Sequence, residues 1–282
     1  MLKIDEAKMK KIIQQENATR DKIPLVQFWR QAKFYKDTFI LEDEYPEIEK
    51  AKLLISNEEI DADKAPRKIH PKLQPEPFVG DLALAKCFVV TLNPRAGIPY
   101  AEEYRNWENP LLQKITKQNI IQEPRMYPFY YLNPELENTG GGQWWLKALG
   151  IDTSDFQTSI KQTIVPNKYL RRLVATLFCD LELCPYHSNQ WDNKKLKQLI
   201  INKKLNSSLM VIDFIKEIIQ DPEKTIFIRG DKDSGYASQI LQHFIPELKH
   251  DLPNVHYISG QRVWLQPTSK NGKILFDKIL NQ

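Results

Sequence analysis

The sequence is poor in the residues that mark metal, redox and membrane chemistry. Its three cysteines, Cys87, Cys179 and Cys184, show no C-x-x-C spacing, which argues against a zinc or iron–sulfur site and is typical of a reducing compartment. No apolar run approaches the roughly 18 residues of a membrane span, and the first stretch, MLKIDEAKMKK, lacks the apolar centre of a secretory signal. We therefore expect a cytoplasmic protein that does not contact a membrane.

Motifs of several common enzyme classes are also missing. The chain has no G-x-G-x-x-G or G-x-x-x-x-G-K-[ST] phosphate loop, no H-E-x-x-H and no G-x-S-x-G. Nucleoside triphosphate, metalloprotease and esterase chemistry therefore have little support. The formal net charge is +4, from 40 basic and 36 acidic side chains. So small a net charge neither requires nor excludes a polyanionic partner.

What the chain does contain is a set of short apolar runs. Four of them are typical of buried strands: KCFVVTL (86–92), LVATLFCDLEL (173–183), TIFIR (225–229) and VHYI (255–258). Amphipathic segments at 194–220 and 236–245 lie between these runs along the chain. Strands that alternate with helices predict an α/β fold, with a central parallel sheet flanked by helices.

The composition predicts that the chain has two parts. Residues 1–70 are expected to form an N-terminal helical extension and linker, and residues 71–282 the α/β domain. The proline-rich stretch 61–79 is the expected connector. Residues 98–142, rich in Pro, Tyr and Asn, predict a long and partly irregular excursion, and a helix is expected to begin at Trp144 after three glycines.

Polar residues follow each predicted strand. They are Asn93-Pro94-Arg95 after the first, ELCPYHS (182–188) around the end of the second, GDKDS (230–234) after the third and the stretch 260–273 after the fourth. The carboxyl ends of parallel strands meet at one edge of the sheet, and ligands bind at that edge. We therefore expect the functional site among these residues.

Taken together, the strand ends resemble the uracil-DNA glycosylase superfamily. LNP (92–94), ELCPYHS, IFIRG (226–230) and ISGQRVWLQPTS (258–269) occur in the order of that family's motifs, between residues 76 and 275. Members have Asp-Pro-Tyr or Asn-Pro-Gly after the first strand and His-Pro-Ser or Asn-Pro-Ser after the last. The single-strand-selective branch has Asn-Tyr-Cys-Pro after the middle strand. The resemblance implies a three-layer α/β/α fold and a monofunctional DNA glycosylase that flips a nucleotide.

The resemblance also implies catalytic roles for Asn93, Gln266 and His187. Asn93 stands where the family keeps the residue that orients the attacking water, which an amide can hold by donating and accepting hydrogen bonds. Gln266 stands in place of the family's His and is an uncharged donor to the leaving base. His187 is a candidate for supplying the missing positive charge. The alternatives are that Asn93 only begins a turn and that His187 is structural.

Four residues are candidates for binding the base: Glu182, Phe129, Tyr130 and Tyr186. Glu182 stands in place of the Asn with which the family reads uracil. An ionised Glu only accepts hydrogen bonds and suits the exocyclic amine of cytosine, whereas a protonated Glu can also donate. The aromatic rings are candidates for gripping a flipped base. The alternatives are an ion pair of Glu182 with a nearby Arg or Lys, and core packing for most of the rings.

DNA phosphates are the expected ligands of five residues: Arg95, Arg262, Thr268, Ser269 and Lys270. Residues 261–276 carry three basic side chains and no acidic one, as contact with phosphates requires. A plain basic surface is the alternative. We expect a monomer that binds single- or double-stranded DNA.

The predicted activity is hydrolysis of the bond between a DNA base and its sugar, with a modified cytosine in damaged or foreign DNA as the suspected target. Such an enzyme would serve defence against foreign DNA as readily as base excision repair. Water is the nucleophile, so neither a metal nor an organic cofactor is expected, and no Lys at a motif position suggests strand cleavage. The alternatives are a uracil-DNA glycosylase in which Glu182 is structural, and a member of the fold that binds DNA without catalysis.

Overall fold

The computed structural model describes residues 17–55, 67–94, 110–151, 167–188, 190, 193–260 and 265–280. Within these ranges the chain forms one five-stranded sheet with the order β1-β3-β2-β4-β5. The strands are β1 (Phe78–Val79), β2 (Cys87–Thr91), β3 (Phe178–Glu182), β4 (Thr225–Arg229) and β5 (Val255–Ile258). Strands β2 to β5 are parallel, and β1 is antiparallel to β3. The α/β prediction is confirmed, while the short antiparallel strand, inside the expected connector, is an addition to it.

The strand order creates a point where the chain changes direction across the sheet. β2 lies in the middle, β3 follows on one side of it, and β4 then lies on the other side. In open sheets of this kind, ligands bind outside the carboxyl ends of the strands at that point. Asn93 follows β2 and Arg229 ends β4, so both lie at the expected place for a ligand.

Helices cover both faces of the sheet. In the described ranges they are α1 (Asn17–Arg20), α2 (Pro24–Arg30), α3 (Tyr45–Lys50), α4 (Pro110–Ile120), α5 (Gly140–Leu149), α6 (Asn167–Leu177), α7 (Asn193–Ile201), α8 (Asn206–Ile218), α9 (Tyr236–Phe244) and α10 (Lys270–Leu280). Short 3₁₀ turns occupy Tyr130–Leu132, Pro134–Leu136 and Pro246–Lys249. No helix of the described ranges has the length and apolar character needed to cross a membrane.

Two apolar cores form because alternate residues of each strand point to opposite faces. Phe88 and Val90 of β2 lie in a first core with side chains of α2, α7, α8 and α9. Cys87 and Val89 lie in a second core with side chains of α4, α5, α6 and α10. The sheet is therefore the middle of three layers.

One predicted strand is helical over its first half. The sequence predicts a strand over 173–183, but α6 continues to Leu177 and β3 begins at Phe178. Leu170 and Val174, four residues apart on α6, are both buried. A continuous apolar run has no periodicity that separates a buried strand from a buried helix, so the sequence does not locate this boundary.

The N-terminal segment packs into the first core. Val26 and Ile48 are completely buried among side chains of the sheet. Arg20, only 1% exposed, forms an ion pair with Asp81 in which Nη2 lies 2.6 Å from Oδ2. The domain boundary at residue 70 stays a prediction, but the described part of the first piece shares a core with the second.

The three glycines begin a helix instead of preceding one. Helix α5 starts at Gly140 and is capped by Thr139, whose Oγ1 accepts a hydrogen bond from the N–H of Gly142 over 3.1 Å. A Cβ atom on Gly141 would lie 2.1 Å from the ring of Tyr131. Glycine is therefore needed here because an aromatic ring packs directly on the helix backbone.

Candidate functional site

The loop after β3 runs beside the segment that follows β2. The N–H of Leu183 donates to the carbonyl of Thr91 over 3.1 Å. Further along, the N–H of Ser188 donates to the carbonyl of Pro94 over 3.3 Å. This pairing continues the register of the two strands, in which Thr91 lies opposite Glu182. Asn93 and Glu182 are therefore brought to the same edge of the sheet.

Asn93 is half-buried, and the backbone fixes the orientation of its amide. Nδ2 donates to the carbonyl oxygens of Pro94 (3.1 Å) and Tyr186 (3.3 Å). It also donates to Oγ of Ser188 over 2.8 Å. Carbonyl oxygens only accept, so a reversed amide would lose these bonds. Oδ1 accepts no hydrogen bond within the described ranges, which leaves it able to accept one from water.

Asp180 and Glu182 lie next to each other on one face of β3. Both side chains are almost completely buried, with Asp180 3% and Glu182 6% exposed. Each of the two carboxyl groups affects the pKa of the other, and Oγ1 of Thr91 donates to Oδ1 of Asp180 over 3.4 Å. Oε2 of Glu182 is buried and has no hydrogen-bond partner in the part of the chain that the structure describes.

A third buried carboxyl group, Glu76, completes what we call the acid cluster: Glu76, Asp180 and Glu182. The N–H of Glu76 donates to the carbonyl of Pro185 over 2.9 Å, which holds the connector against the loop after β3. The hydroxyl groups of Tyr130 and Tyr131 both donate to the Glu76 carboxyl group. Across the described residues, no group of three or more His, Cys, Asp or Glu side chains could hold a metal ion.

Burial makes the acid cluster hold protons more tightly than exposed carboxyl groups do. It raises the pKa of Glu76 to about 7, although two tyrosine hydrogen bonds act in the opposite direction. Burial also raises the pKa of Asp180 and that of Glu182, and for Glu182 the charge of Asp180 adds to the effect of burial. Arg229, at the end of β4, lowers the pKa of both acids by less than burial raises it.

The structure does not support base binding by Phe129, Tyr130 or Tyr186. Phe129 is completely buried, with its ring centroid 5.0 Å from that of Trp145. Tyr130 is completely buried in the same core. Tyr186 is 2% exposed in the core on the other face of the sheet, where its hydroxyl donates to Glu44 over 2.5 Å. Rings covered by core side chains have no free face on which a base could stack.

His187 is buried and uncharged. Its Nε2 lies 2.9 Å from the carbonyl oxygen of Gln74 and 3.8 Å from Oε2 of Glu76. Burial, with a smaller effect from the nearby His70, lowers the pKa of His187 to about 3. A neutral imidazole cannot supply positive charge to a leaving base, so this placement favours the structural role. His187 joins the connector to the loop after β3, since its carbonyl also accepts from the N–H of His70 over 3.0 Å.

Gln266 is tied to the end of helix α5. Its Nε2 donates to the carbonyl oxygen of Lys147 over 3.0 Å. The neighbouring N–H of Leu265 donates to the carbonyl of Ala148 over 2.9 Å. Within the described ranges, Gln266 makes no hydrogen bond to Asn93 or Glu182. The structure therefore brings Asn93 and Glu182 together but does not join Gln266 to them.

Three of the five expected phosphate ligands lie in the described ranges. Ser269 caps helix α10, because its Oγ accepts from the N–H of Gly272 over 3.0 Å and donates to a backbone carbonyl over 2.9 Å. Thr268 and Lys270 are exposed, and Lys270 borders an open cleft of about 580 Å³ between β5 and α10. Contact of these residues with phosphate stays a prediction. Arg95 and Arg262 lie outside the described residues.

Sequence reasoning missed two members of the acid cluster, Asp180 and Glu76, together with Thr91. A usable signal was present in FCDLE, where Asp180 and Glu182 alternate on a strand that is otherwise apolar. Alternation puts both carboxyl groups on one face, and buried acids need partners. Glu76 has no comparable local signal, because the path of the connector brings it to the site.

Comparison with known proteins finds no match among family models, curated proteins or solved structures.

Proposed function

We propose that the chain is a monofunctional DNA glycosylase that excises a cytosine-type base. One observation carries the proposal. Oδ1 of Asn93 and Oε2 of Glu182 have no hydrogen-bond partner within the described ranges, and both residues lie where β2 and β3 end. The reaction needs a group that holds water and a group that reads a base, and these two side chains can provide them at the edge where ligands of such sheets bind.

In this proposal Asn93 places the attacking water. Nδ2 is fixed by backbone carbonyl groups, so Oδ1 presents a lone pair in a constant direction. An amide is too weak a base to deprotonate water. The base therefore has to leave first, through an oxocarbenium-like sugar of the kind seen in other glycoside cleavages. The water that Asn93 already holds in the correct position then adds to C1′ without further orientation.

Glu182 reads the base in this proposal. A neutral carboxyl group carries one donor and one acceptor, which match ring nitrogen N3 and the exocyclic amine N4 of cytosine. The same group also matches O4 and N3–H of uracil. One of its two oxygens, Oε2, is buried and has no protein partner within the described ranges. Comparison of bases in one DNA sequence is therefore part of the test.

The test is release of a base from DNA that contains one candidate base at a fixed position. Single- and double-stranded oligonucleotides with cytosine, a modified cytosine or uracil are incubated with the protein, and abasic sites are then cleaved with alkali. We expect cleavage at a cytosine-type base. Asn93→Ala should reduce the rate by roughly 10²-fold or more, since an unplaced water costs about that much, while DNA binding is retained.

Asn254→Ala is the matched control. Asn254 is also half-buried, and its Nδ2 also donates to two backbone carbonyl groups, those of Ile219 and Asp221, both over 3.2 Å. It precedes β5 and therefore lies at the opposite edge of the sheet. The control should resemble Asn93→Ala in stability and the unchanged protein in rate. Equal loss of rate in both variants, or no abasic sites on any base, would contradict the proposal.

A second candidate function is DNA binding without catalysis. The amide of Gln266 is uncharged and is bonded to the carbonyl of Lys147, so no cationic donor takes the place of the family's His. This favours DNA binding without catalysis. Retained DNA binding without abasic sites, in the unchanged protein, would support this second candidate.

A further inference from the structure

We propose that Asp180 and Glu182 hold one proton between them and deliver it through Glu182 to the base as it leaves. This role rests on the proposed function and extends it, because it names the acid of the reaction and the chemical class of the base. It also addresses a gap in the site. A leaving base needs a proton or a positive charge, and neither the neutral His187 nor the amide of Gln266 supplies one.

The geometry places this pair where a base would be read. Glu182 is the last residue of β3, and Asp180 lies two residues earlier on the same face. Thr91 on β2 donates a hydrogen bond to Asp180, while the charge of Glu76 raises the pKa of both acids and that of Arg229, at the end of β4, lowers it. The one oxygen of the pair that is buried without a partner in the described ranges, Oε2 of Glu182, belongs to the residue nearer the edge.

Two neighbouring buried carboxyl groups on one face of a strand cannot both be ionised at low energy. Each would lose the solvation of bulk water, and their like charges would repel. One proton held by the pair removes one of the two charges, and the protons then leave the pair in two coupled steps. Burial is the largest cause of the raised pKa of each acid, and Arg229 opposes it only in part. In this proposal the pair keeps one proton at neutral pH.

The proton balance of the reaction is complete with one water molecule. Glu182 gives the shared proton to N3 of a cytosine-type base while the bond between C1′ and N1 breaks and its electron pair stays with the base. The base leaves as a neutral molecule, and the pair is briefly doubly ionised. The water held by Asn93 forms a bond to C1′, and the proton that it loses returns to the pair. No oxidant, reductant or further reactant is needed.

This mechanism selects the class of base. Cytosine and its 5-substituted relatives present an unprotonated N3 that can accept a proton, whereas N3 of uracil already carries one. A stored proton therefore accelerates the loss of cytosine-type bases more than the loss of uracil. Substituents at C5 of the base leave this contact unchanged.

The first experiment measures the pair without DNA. Carbon-13 NMR of the labelled side-chain carboxyl groups of Asp and Glu is followed against pH in the full chain. We expect Glu182 to keep its proton at pH 7, and Asp180→Asn to lower its titration point by about one pH unit or more because a neighbouring negative charge is removed. The reciprocal variant Glu182→Gln should lower the titration point of Asp180. Ionisation of Glu182 below pH 6, or no change in Asp180→Asn, would overturn the shared proton.

The second experiment asks whether the proton reaches the base. General acid catalysis contributes roughly 10²-fold or more, so Glu182→Gln should lose at least that much rate with a cytosine-type base. The loss should be much smaller with a base that carries an electron-withdrawing group at C5, because such a base leaves readily without a proton. An equal loss with both bases would show that Glu182 only positions the base, and would overturn proton delivery.

The pH profile of the unchanged protein gives a test that does not depend on any variant folding. The rate should fall at alkaline pH, where the pair of Asp180 and Glu182 loses its last proton. The fall should be smaller with the base that carries an electron-withdrawing group at C5. In Asp180→Asn the alkaline fall should move to lower pH by the same amount as the NMR titration. If the titrations are as expected but no base is released, the glycosylase function fails; if bases are released but Glu182 is ionised, only the proton pair fails.

Discussion

At the scale of the residue, the clearest measurable effect is that of Glu44 on the stability of the fold. It is completely buried, and its carboxyl group accepts hydrogen bonds from the hydroxyl of Tyr186 and from Ser207, whose N–H donates over 2.5 Å and whose Oγ donates over 3.0 Å. One carboxyl group thus connects the N-terminal segment, the loop after β3 and the start of α8. Burial raises the pKa of Glu44 from an ordinary 4.5 to about 7, more than these hydrogen bonds lower it.

The raised pKa predicts how stability changes with pH. Between pH 4.5 and 7 the folded state binds more protons at Glu44 than the unfolded state does, so this group's contribution to the free energy of unfolding falls as pH rises. The full loss, about 3–4 kcal/mol at roughly 1.4 kcal/mol per unit of pKa, is present above pH 7. Glu44→Gln, which stays neutral, should therefore gain stability relative to the unchanged protein between pH 4.5 and 7.5 in urea unfolding. The exposed Glu42→Gln is the control, and an identical change in both variants would contradict the assignment.

Residues at strand ends were predictable because their position follows from simple rules. A polar residue such as Asn93 directly after an apolar run has to lie at an edge of the sheet, and Glu182 can be placed in the same way. The aromatic rings could not be assigned by this reasoning, since a buried Phe129 and a ring that binds a ligand have the same sequence signature. Contacts such as that between Glu76 and Tyr131 depend on the path of the whole connector, so the local sequence does not contain them.

At the scale of the element, the strands with uniform composition were the easiest to find. β4 and β5 have the predicted bounds because polar or turn-forming residues limit them on both sides. The predicted start of β3 at residue 173 is wrong, because no turn-forming residue separates β3 from α6, which ends at Leu177. Helix α5 shows a different limit: its glycines suggest a loop by propensity, but close packing against Tyr131 requires Gly141 inside the helix.

Gly141→Ala tests this packing. The new methyl group would lie 2.1 Å from Cε1 of the Tyr131 ring and 2.6 Å from two further ring carbons, so the ring or the helix start has to move. Overpacking of this kind costs about 1–3 kcal/mol, and we expect that loss in the free energy of unfolding despite the better helix propensity of alanine. Gly140→Ala, at the exposed first position of the helix, is the matched control and should be neutral or stabilising. A stabilised Gly141→Ala would show that the ring does not pack on the helix as described.

At the scale of the whole molecule, the N-terminal segment determines whether the first core is complete. Residues of α2 and α3, such as Val26, Trp29 and Ile48, are at most 3% exposed and lie in the core that covers one face of the sheet. Removal of this segment would expose the apolar side chains that it covers. It would also leave Asp81 buried without Arg20, and loss of one partner of a buried ion pair costs about 3–5 kcal/mol.

A fragment of residues 71–282 should therefore fail to fold by itself, although composition predicts this range as the α/β domain. Globular proteins are stable by only about 5–15 kcal/mol. We expect the combined free-energy cost of uncovering the apolar face and of leaving Asp81 unpaired to exceed that stability. We expect no cooperative thermal transition by near-ultraviolet circular dichroism. Addition of a separate chain of residues 1–70 should restore the transition, because it returns the missing side of the core. A fragment that melts cooperatively alone, near the temperature of the full chain, would show that the α/β domain is independent and that the N-terminal segment is an accessory to it.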